Sequence, residues 1–252
     1  ELGITVSIGL SYNKFLAKIA SDLNKPSGFS LIGEEEALSF LSERPIGDIM
    51  GVGKRLETTL KNDGYSRIKD LQKKDASVLV NKYGKIGQQL TSFSRGIDLR
   101  KVNPVSLVKS ISTETTFGTD ISGLDNLRPI FWKLCEVLSK RIKQQSKSGK
   151  VVTVKFKTFD FKTFTRRRTL RGPTQLAEVL YQATFDILAR ESKKSYRLLG
   201  IGISDLYEAD YADSSDLLDL KLSKTKSIEN TMDSIRKKLG DDSIKKGRSL
   251  NK

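Results

Sequence analysis

Apolar and polar positions alternate along "ITVSIGL" with the period of two of a strand. "SYNKFLAKIASDL" then switches to helical spacing, with Phe15, Leu16, Ile19, Ala20 and Leu23 on one stripe. "NKPSG" stops that helix with Pro26 and Gly28. A short apolar piece, "FSLIG", leads into "EEEALSFLSERP", whose three glutamates suit the positive end of a helix dipole. From Pro45 to about Val102 the pattern breaks into short helices cut by Gly47, Gly51, Gly53, Gly64, Gly84, Gly87 and Gly96. "KVNPVSLV" reads as a linker.

Beyond the linker, "KSISTETTF" is strand-like, and the next segment sets Leu124, Leu127, Phe131, Leu134, Leu138 and Ile142 on one helical stripe. "KVVTVKFKTFDF" puts Val152, Val154 and Phe156 on one strand face and Thr153, Lys155 and Lys157 on the other, so one face packs while the other meets an anion. The alternation slips near Phe159, as a bulge or turn would cause, and "KTFTRRRTLRG" continues as another strand. "PTQLAEVLYQATFDILARE" is an amphipathic helix and "YRLLGIGISDL" a last strand. The order β-α-β-β-α-β predicts a four-stranded β-sheet with two helices on one side and an open, basic face on the other. The fold class is α+β, multidomain.

Composition sharpens this picture. A chain of 252 residues favours two or more folded units. Its net charge of +15 is unevenly placed: Val108 to Arg171 holds fifteen basic and five acidic residues. Charge concentrated in this way points to a polyanion surface, the plain alternative being a solvated basic face. With no histidine, Ser/His and Cys/His catalysis and ordinary Cys/His zinc sites are excluded. Cys135, the single cysteine, sits in "FWKLCEVL", where a buried thiol is expected rather than a nucleophile, and one cysteine fits a reducing, cytoplasmic compartment. No apolar run approaches the ~20 residues of a membrane span, so no membrane partner is expected. The chain begins without methionine, directly in a strand pattern, which leads us to expect an excised fragment.

Two segments carry candidate binding chemistry. "GVG", between "PIGDI" and "KRLETTLKNDG", reads as a helix-hairpin-helix turn: glycines allow close backbone approach, and free amides at the helix start, with Lys54 and Arg55 nearby, can hold a phosphate. A plain αα-hairpin would also want glycine. "GKIG" at Gly84 to Gly87 superficially matches the loop of KH domains, but without the surrounding strands a helix start is the better reading. In the basic strand, Arg166 and Arg168 share a face and Arg167 opposes them. Sequence-independent phosphate contact is the preferred reading of that strand.

"VSIGLSYNKFLAKIASDLNKPSG", "MGVGKRLETTL", "FSRGID" and "KSISTETTFGTD", in this order and spacing, resemble the Y-family DNA polymerases of the DNA polymerase IV (DinB, kappa-like) branch. The resemblance implies that residues 1–44 are a palm remnant, 45–103 the helical thumb with its helix-hairpin-helix, 104–107 a linker, 108–208 the little finger and 209–252 a carboxy-terminal tail. It implies template-directed nucleotide addition across damaged bases by two magnesium ions (Mg2+) held on carboxylates, with primer-template DNA and a deoxynucleoside triphosphate as partners. In the family those carboxylates precede the "SIGLSYNK" region, so no catalytic or metal residue is expected in this chain, and Asp160, Asp241 and Asp242 do not substitute. The chain alone is expected to be inactive.

Carried over from the family are Lys25, in "NKP", for the incoming triphosphate, and Gly51, Val52, Gly53 and Lys54 for the DNA backbone near the primer terminus. Lys109, Ser110, Arg166, Arg168 and Arg197 are carried over for little-finger DNA contacts. The tail departs from the family: "SSDLLDLKL" lacks the glutamine and phenylalanine of a Gln-Leu-x-Leu-Phe clamp-binding peptide, which puts a sliding-clamp partner in doubt. Ile228, Met232, Ile235 and Leu239 lie at helical spacing and resemble the short helix that often follows the little finger, expected to dock weakly or stay disordered. The alternative function is a non-enzymatic DNA-binding repair scaffold or regulator.

Overall fold

Two hydrophobic cores organise the chain, one in each of the units Glu1–Ser106 and Leu107–Lys252. The computed structural model describes residues 3–105, 107–214 and 220–249.

In the first unit, β1 (Ile8–Ser11), α1 (Lys14–Leu23) and β2 (Phe29–Ile32) form a parallel β-α-β turn. Helix α1 starts at Asn13, whose side-chain oxygen accepts from Leu16 N at 3.0 Å, and it buries Phe15, Leu16, Ile19 and Ala20. The strand expected over residues 4–10 begins only at Ile8, because β2 offers four ladder positions, Ile8↔Phe29 to Ser11↔Ile32. On the sheet face away from α1, Ile8, Leu10, Phe29 and Leu31 are all more than half exposed.

Helix α2 (Glu34–Ser42) is capped by Glu36, which accepts from Gly33 N at 2.8 Å. A 3-10 turn at Ile46–Asp48 leads to α3 (Lys54–Asn62), α4 (Ile68–Gln72), α5 (Ala76–Tyr83) and α6 (Lys85–Ser94). "GKIG" does open a helix. Gly87 is there because α5 and α6 approach closely: a Cβ on it would lie 1.9 Å from Leu79 O. One core joins all these elements, with Phe15 and Phe93 stacked at 4.4 Å between centroids. Two of the quoted segments, "SYNKF" and "FSRGID", also meet: Asn13 Nδ2 and Tyr12 OH donate to Gly96 O at 2.8 and 3.1 Å, and Phe15 N donates to Asp98 Oδ2 at 3.1 Å.

The second unit runs β3 (Ser110–Ile121), α7 (Leu124–Gln144), β4 (Lys147–Thr158), β5 (Thr163–Thr174), α8 (Ala177–Glu191) and β6 (Tyr196–Glu208), the expected β-α-β-β-α-β order. The strands form one antiparallel sheet in the order β3-β6-β4-β5, so β3 and β5 are its edges. Val152, Val154 and Phe156 are fully buried in one core with Leu127, Phe131, Leu138 and Ile142 of α7 and Leu180 and Leu188 of α8. The slip near Phe159 is the β4–β5 turn. Cys135 lies in this core, and burial pushes its thiol pKa well above the ordinary value.

Helix α9 (Leu220–Leu239) docks on the same unit with only part of its apolar stripe: Met232 is buried and Ile235 half-buried, while Ile228 and Leu239 are exposed. Its buried Glu229 accepts from Ala177 N and Glu178 N at 3.0 and 2.8 Å, capping the start of α8 from outside. Burial raises the Glu229 pKa, although these amides and Lys143 oppose the rise. Lys143–Asp233 (2.6 Å) and Arg236–Glu136 (2.7 Å) fasten the helix further. The expected departure from a clamp-binding peptide falls mainly on residues 215–219, which lie outside the described residues.

Candidate nucleic-acid interface

Ladder register assigns each basic side chain of the sheet to a face. Residues directly opposite one another in neighbouring strands share a face. Ile111, Ile203, Val152 and Arg168 form one cross-strand row, and Thr113, Ile201, Val154 and Arg166 the next. Both rows lie on the helix-covered face. Arg166 and Arg168 therefore share a face, as alternation requires, but it is the packed one. At the β5 edge they stay half exposed and pair with α8: Arg166 with Glu191 at 2.9 Å and Arg168 with Asp186 at 2.7 Å.

The open face is built from the alternate rows: Ser112–Gly202–Thr153–Arg167, Glu114–Gly200–Lys155–Thr165 and Thr116–Leu198–Lys157–Thr163. It is a surface of hydroxyls and cations over a low floor. Gly200 and Gly202 keep the central strand bare, because a Cβ on either would lie 2.9 Å from the Cβ of Glu114 or Ser112. Lys155 pairs with Glu114 at 2.7 Å. Arg167 is exposed and has no carboxylate partner among the described residues. Lys157 Nζ and Arg197 Cζ lie 4.7 and 5.0 Å from the centroid of the Phe161 ring. Ser110 opens β3 on this same face, opposite Ser204, and exposed Lys109 immediately precedes it.

Sequence reasoning missed Arg167, although a signal for it exists. Phe164 and Leu170 have the parity of Arg166 and Arg168 and pack against the core, which leaves Arg167 to the other side.

In the first unit the "GVG" turn joins the 3-10 turn Ile46–Asp48 to α3. Gly51 has φ +96, a left-handed value that favours glycine, and Gln89 Nε2 braces the turn through Met50 O at 2.7 Å. Val52 is half-buried. Gly53, at the start of α3, has φ −84, and a Cβ on it would meet nothing within 4 Å, so the fold itself accepts other residues there. Among the described residues no side chain caps α3, and Lys54 and Arg55 are exposed beside its first amides.

The C-terminal domain model of the impB/mucB/samB family matches residues 108–217. Over the full chain, DNA polymerase IV of Brucella melitensis biotype 1 is 46% identical across 253 residues, covering 100% of this chain and 57% of the relative. DNA polymerase IV 1 of Mesorhizobium japonicum is 47% identical over 98% of this chain and 57% of its own length, and the Caulobacter vibrioides DNA polymerase IV 41% over 99% and 62%. The chain belongs to the DNA polymerase IV branch of the Y-family DNA polymerases.

A solved Y-family DNA polymerase chimera shares the fold, with a TM-score of 0.67 and 22% identity over 82% of this chain and 60% of that one. This Y-family chain spans less than two thirds of the length of these curated relatives. The remaining residue carried over from the family, Lys25, is exposed and held 2.5 Å from Asp22, whose pKa is lowered by Lys18 and Lys25. Among the described residues no three acidic or cysteine side chains gather as a metal would require. Asp160 is engaged by Lys162 and Thr158, Asp241 by Lys140 and Asp242 by Lys245. Among the described residues no helix is long and apolar enough to cross a membrane.

Proposed function

We propose that this chain is the DNA-binding part of a translesion DNA polymerase that adds deoxynucleotides to a primer by two-metal phosphoryl transfer. The observation that carries the reading is the open sheet face, where Lys155, Lys157 and Arg167 stand among serine and threonine hydroxyls with two glycines beneath. Such a surface contacts sugar and phosphate without reading bases. In this reading residues 1–44 are the end of the palm, 45–103 the thumb, 104–107 a linker, 108–208 the little finger and 209–252 the tail.

The thumb hairpin offers the amides of Gly51 to Lys54 to the DNA backbone near the primer terminus, and Gly53 is glycine so that a phosphate can come close. Lys25 exchanges Asp22 for the incoming triphosphate. On the little finger, Arg167, Lys157, Arg197, Lys109 and Ser110 make the DNA contacts. Arg166 and Arg168 contribute less, because a phosphate must compete with Glu191 and Asp186 for them. Magnesium supplies charge neutralisation at the reacting phosphates, and the carboxylates that hold it belong to the additional length of the relatives. That additional length covers the apolar face of Ile8, Leu10, Phe29 and Leu31.

Fluorescence anisotropy on a primer-template across a salt series tests the reading. Arg167→Ala is expected to weaken binding to any sequence and reduce the salt slope by about one. Arg166→Ala and Arg168→Ala should change the slope by less. An unchanged slope in Arg167→Ala would overturn the open-face assignment.

A further inference from the structure

Phe161 is an aromatic that the fold holds outward. It belongs to neither core, is 60% exposed, and sits at φ +61 in the β4–β5 turn, a left-handed conformation that bulky side chains rarely adopt. The turn is braced to keep it there. Phe161 N donates to Thr158 O and Thr158 N to Lys162 O, both at 3.0 Å, while the Asp160 carboxylate accepts from Thr158 Oγ1 and pairs with Lys162 at 2.8 Å. Lys162 first, then Thr158, pulls the Asp160 pKa down to about 2, so the brace is charged at neutral pH.

Lys157 and Arg197 converge on this ring, at 4.7 and 5.0 Å from its centroid, and Lys157 belongs to the open face. An exposed ring flanked by cations at the end of a phosphate-binding surface has the composition of a stacking platform. A base pair inside a duplex hides its faces, so the ring can stack only on an unpaired or terminal base.

We propose that Phe161 stacks on a nucleobase of an unpaired strand, with Lys157 and Arg197 holding the adjoining phosphates. This inference rests on the DNA-binding reading above and adds to it a preference for single-stranded overhang.

The test compares a blunt duplex with the same duplex carrying a single-stranded overhang that contains 2-aminopurine. Phe161→Gly suits the left-handed position and removes only the ring, whereas Phe161→Trp keeps an aromatic surface. Wild type and Phe161→Trp are expected to quench 2-aminopurine and to bind the overhang substrate about tenfold more tightly than Phe161→Gly does. Blunt-duplex affinity and salt slope should be equal in all three. Equal overhang binding and quenching in Phe161→Gly would overturn the stacking role, as would an equal loss on both substrates. If wild type bound neither substrate in a salt-dependent way, the underlying DNA-binding reading would fail instead.

Discussion

Gly51 and Gly53 are one valine apart, yet they are glycine for different reasons. Gly51 is fixed by its own backbone, and Gly51→Ala is expected to cost about 1–2 kcal/mol, read from the urea midpoint. Gly53 has ordinary dihedrals and empty space around it, so Gly53→Ala should cost no more than about 1 kcal/mol while weakening primer-template binding. Asp98 shows the opposite kind of demand. Its buried carboxylate accepts from Phe15 N and from the Arg100 guanidinium, which holds its pKa below the usual carboxylate value. Asp98→Ala leaves the Phe15 amide without its acceptor and should cost about 1–3 kcal/mol. Because the folded pKa is lowered, this carboxylate stabilises the fold above its unfolded pKa of about 4, and the stabilisation is lost as pH falls through the folded value. Below pH about 4, wild type should therefore lose stability more steeply than Asp98→Asn in denaturant titrations.

At the scale of elements, β5 and α9 both depend on what lies beside them. An edge strand with three consecutive arginines has two possible phases, and pairing Val154 with Arg166 selects one. Helix α9 buries Met232 but is fastened largely by charge: its Glu229 serves the first amides of α8, and Asp233 and Arg236 meet Lys143 and Glu136. Removing the Glu229 carboxylate strands two donors. Glu229→Ala is expected to lower stability by about 1–3 kcal/mol and to make residues 220–249 exchange amide hydrogens faster, as mass spectrometry would report.

For the molecule as a whole, nucleotide addition is expected to need more than these 252 residues. With primer-template, magnesium and deoxynucleoside triphosphates, a gel assay should show no extension by the 252-residue chain and extension by a polypeptide of the relatives' full length. Extension by the short chain would require carboxylates that the described residues do not assemble. Failure of the long one would favour a non-enzymatic DNA-binding scaffold.

Periodicity made much of this legible. The α7 stripe and the Val152, Val154 and Phe156 alternation state in sequence which side is buried, because each repeats with the period of its own element. The quoted segments likewise marked the family by themselves. What they could not state was partnership. Among the described residues, 4–7 alternate like a strand but have no ladder to join, and the stripe on α9 buries Met232 while leaving Ile228 and Leu239 exposed. Chain pattern determined the elements and most of their burial, and the parity of Phe164 and Leu170 hinted at the phase of β5; only the tertiary structure decided that Arg167 rather than Arg166 faces outward on the open side. The reason is that a strand's two faces are interchangeable until hydrogen bonds to a neighbour choose between them.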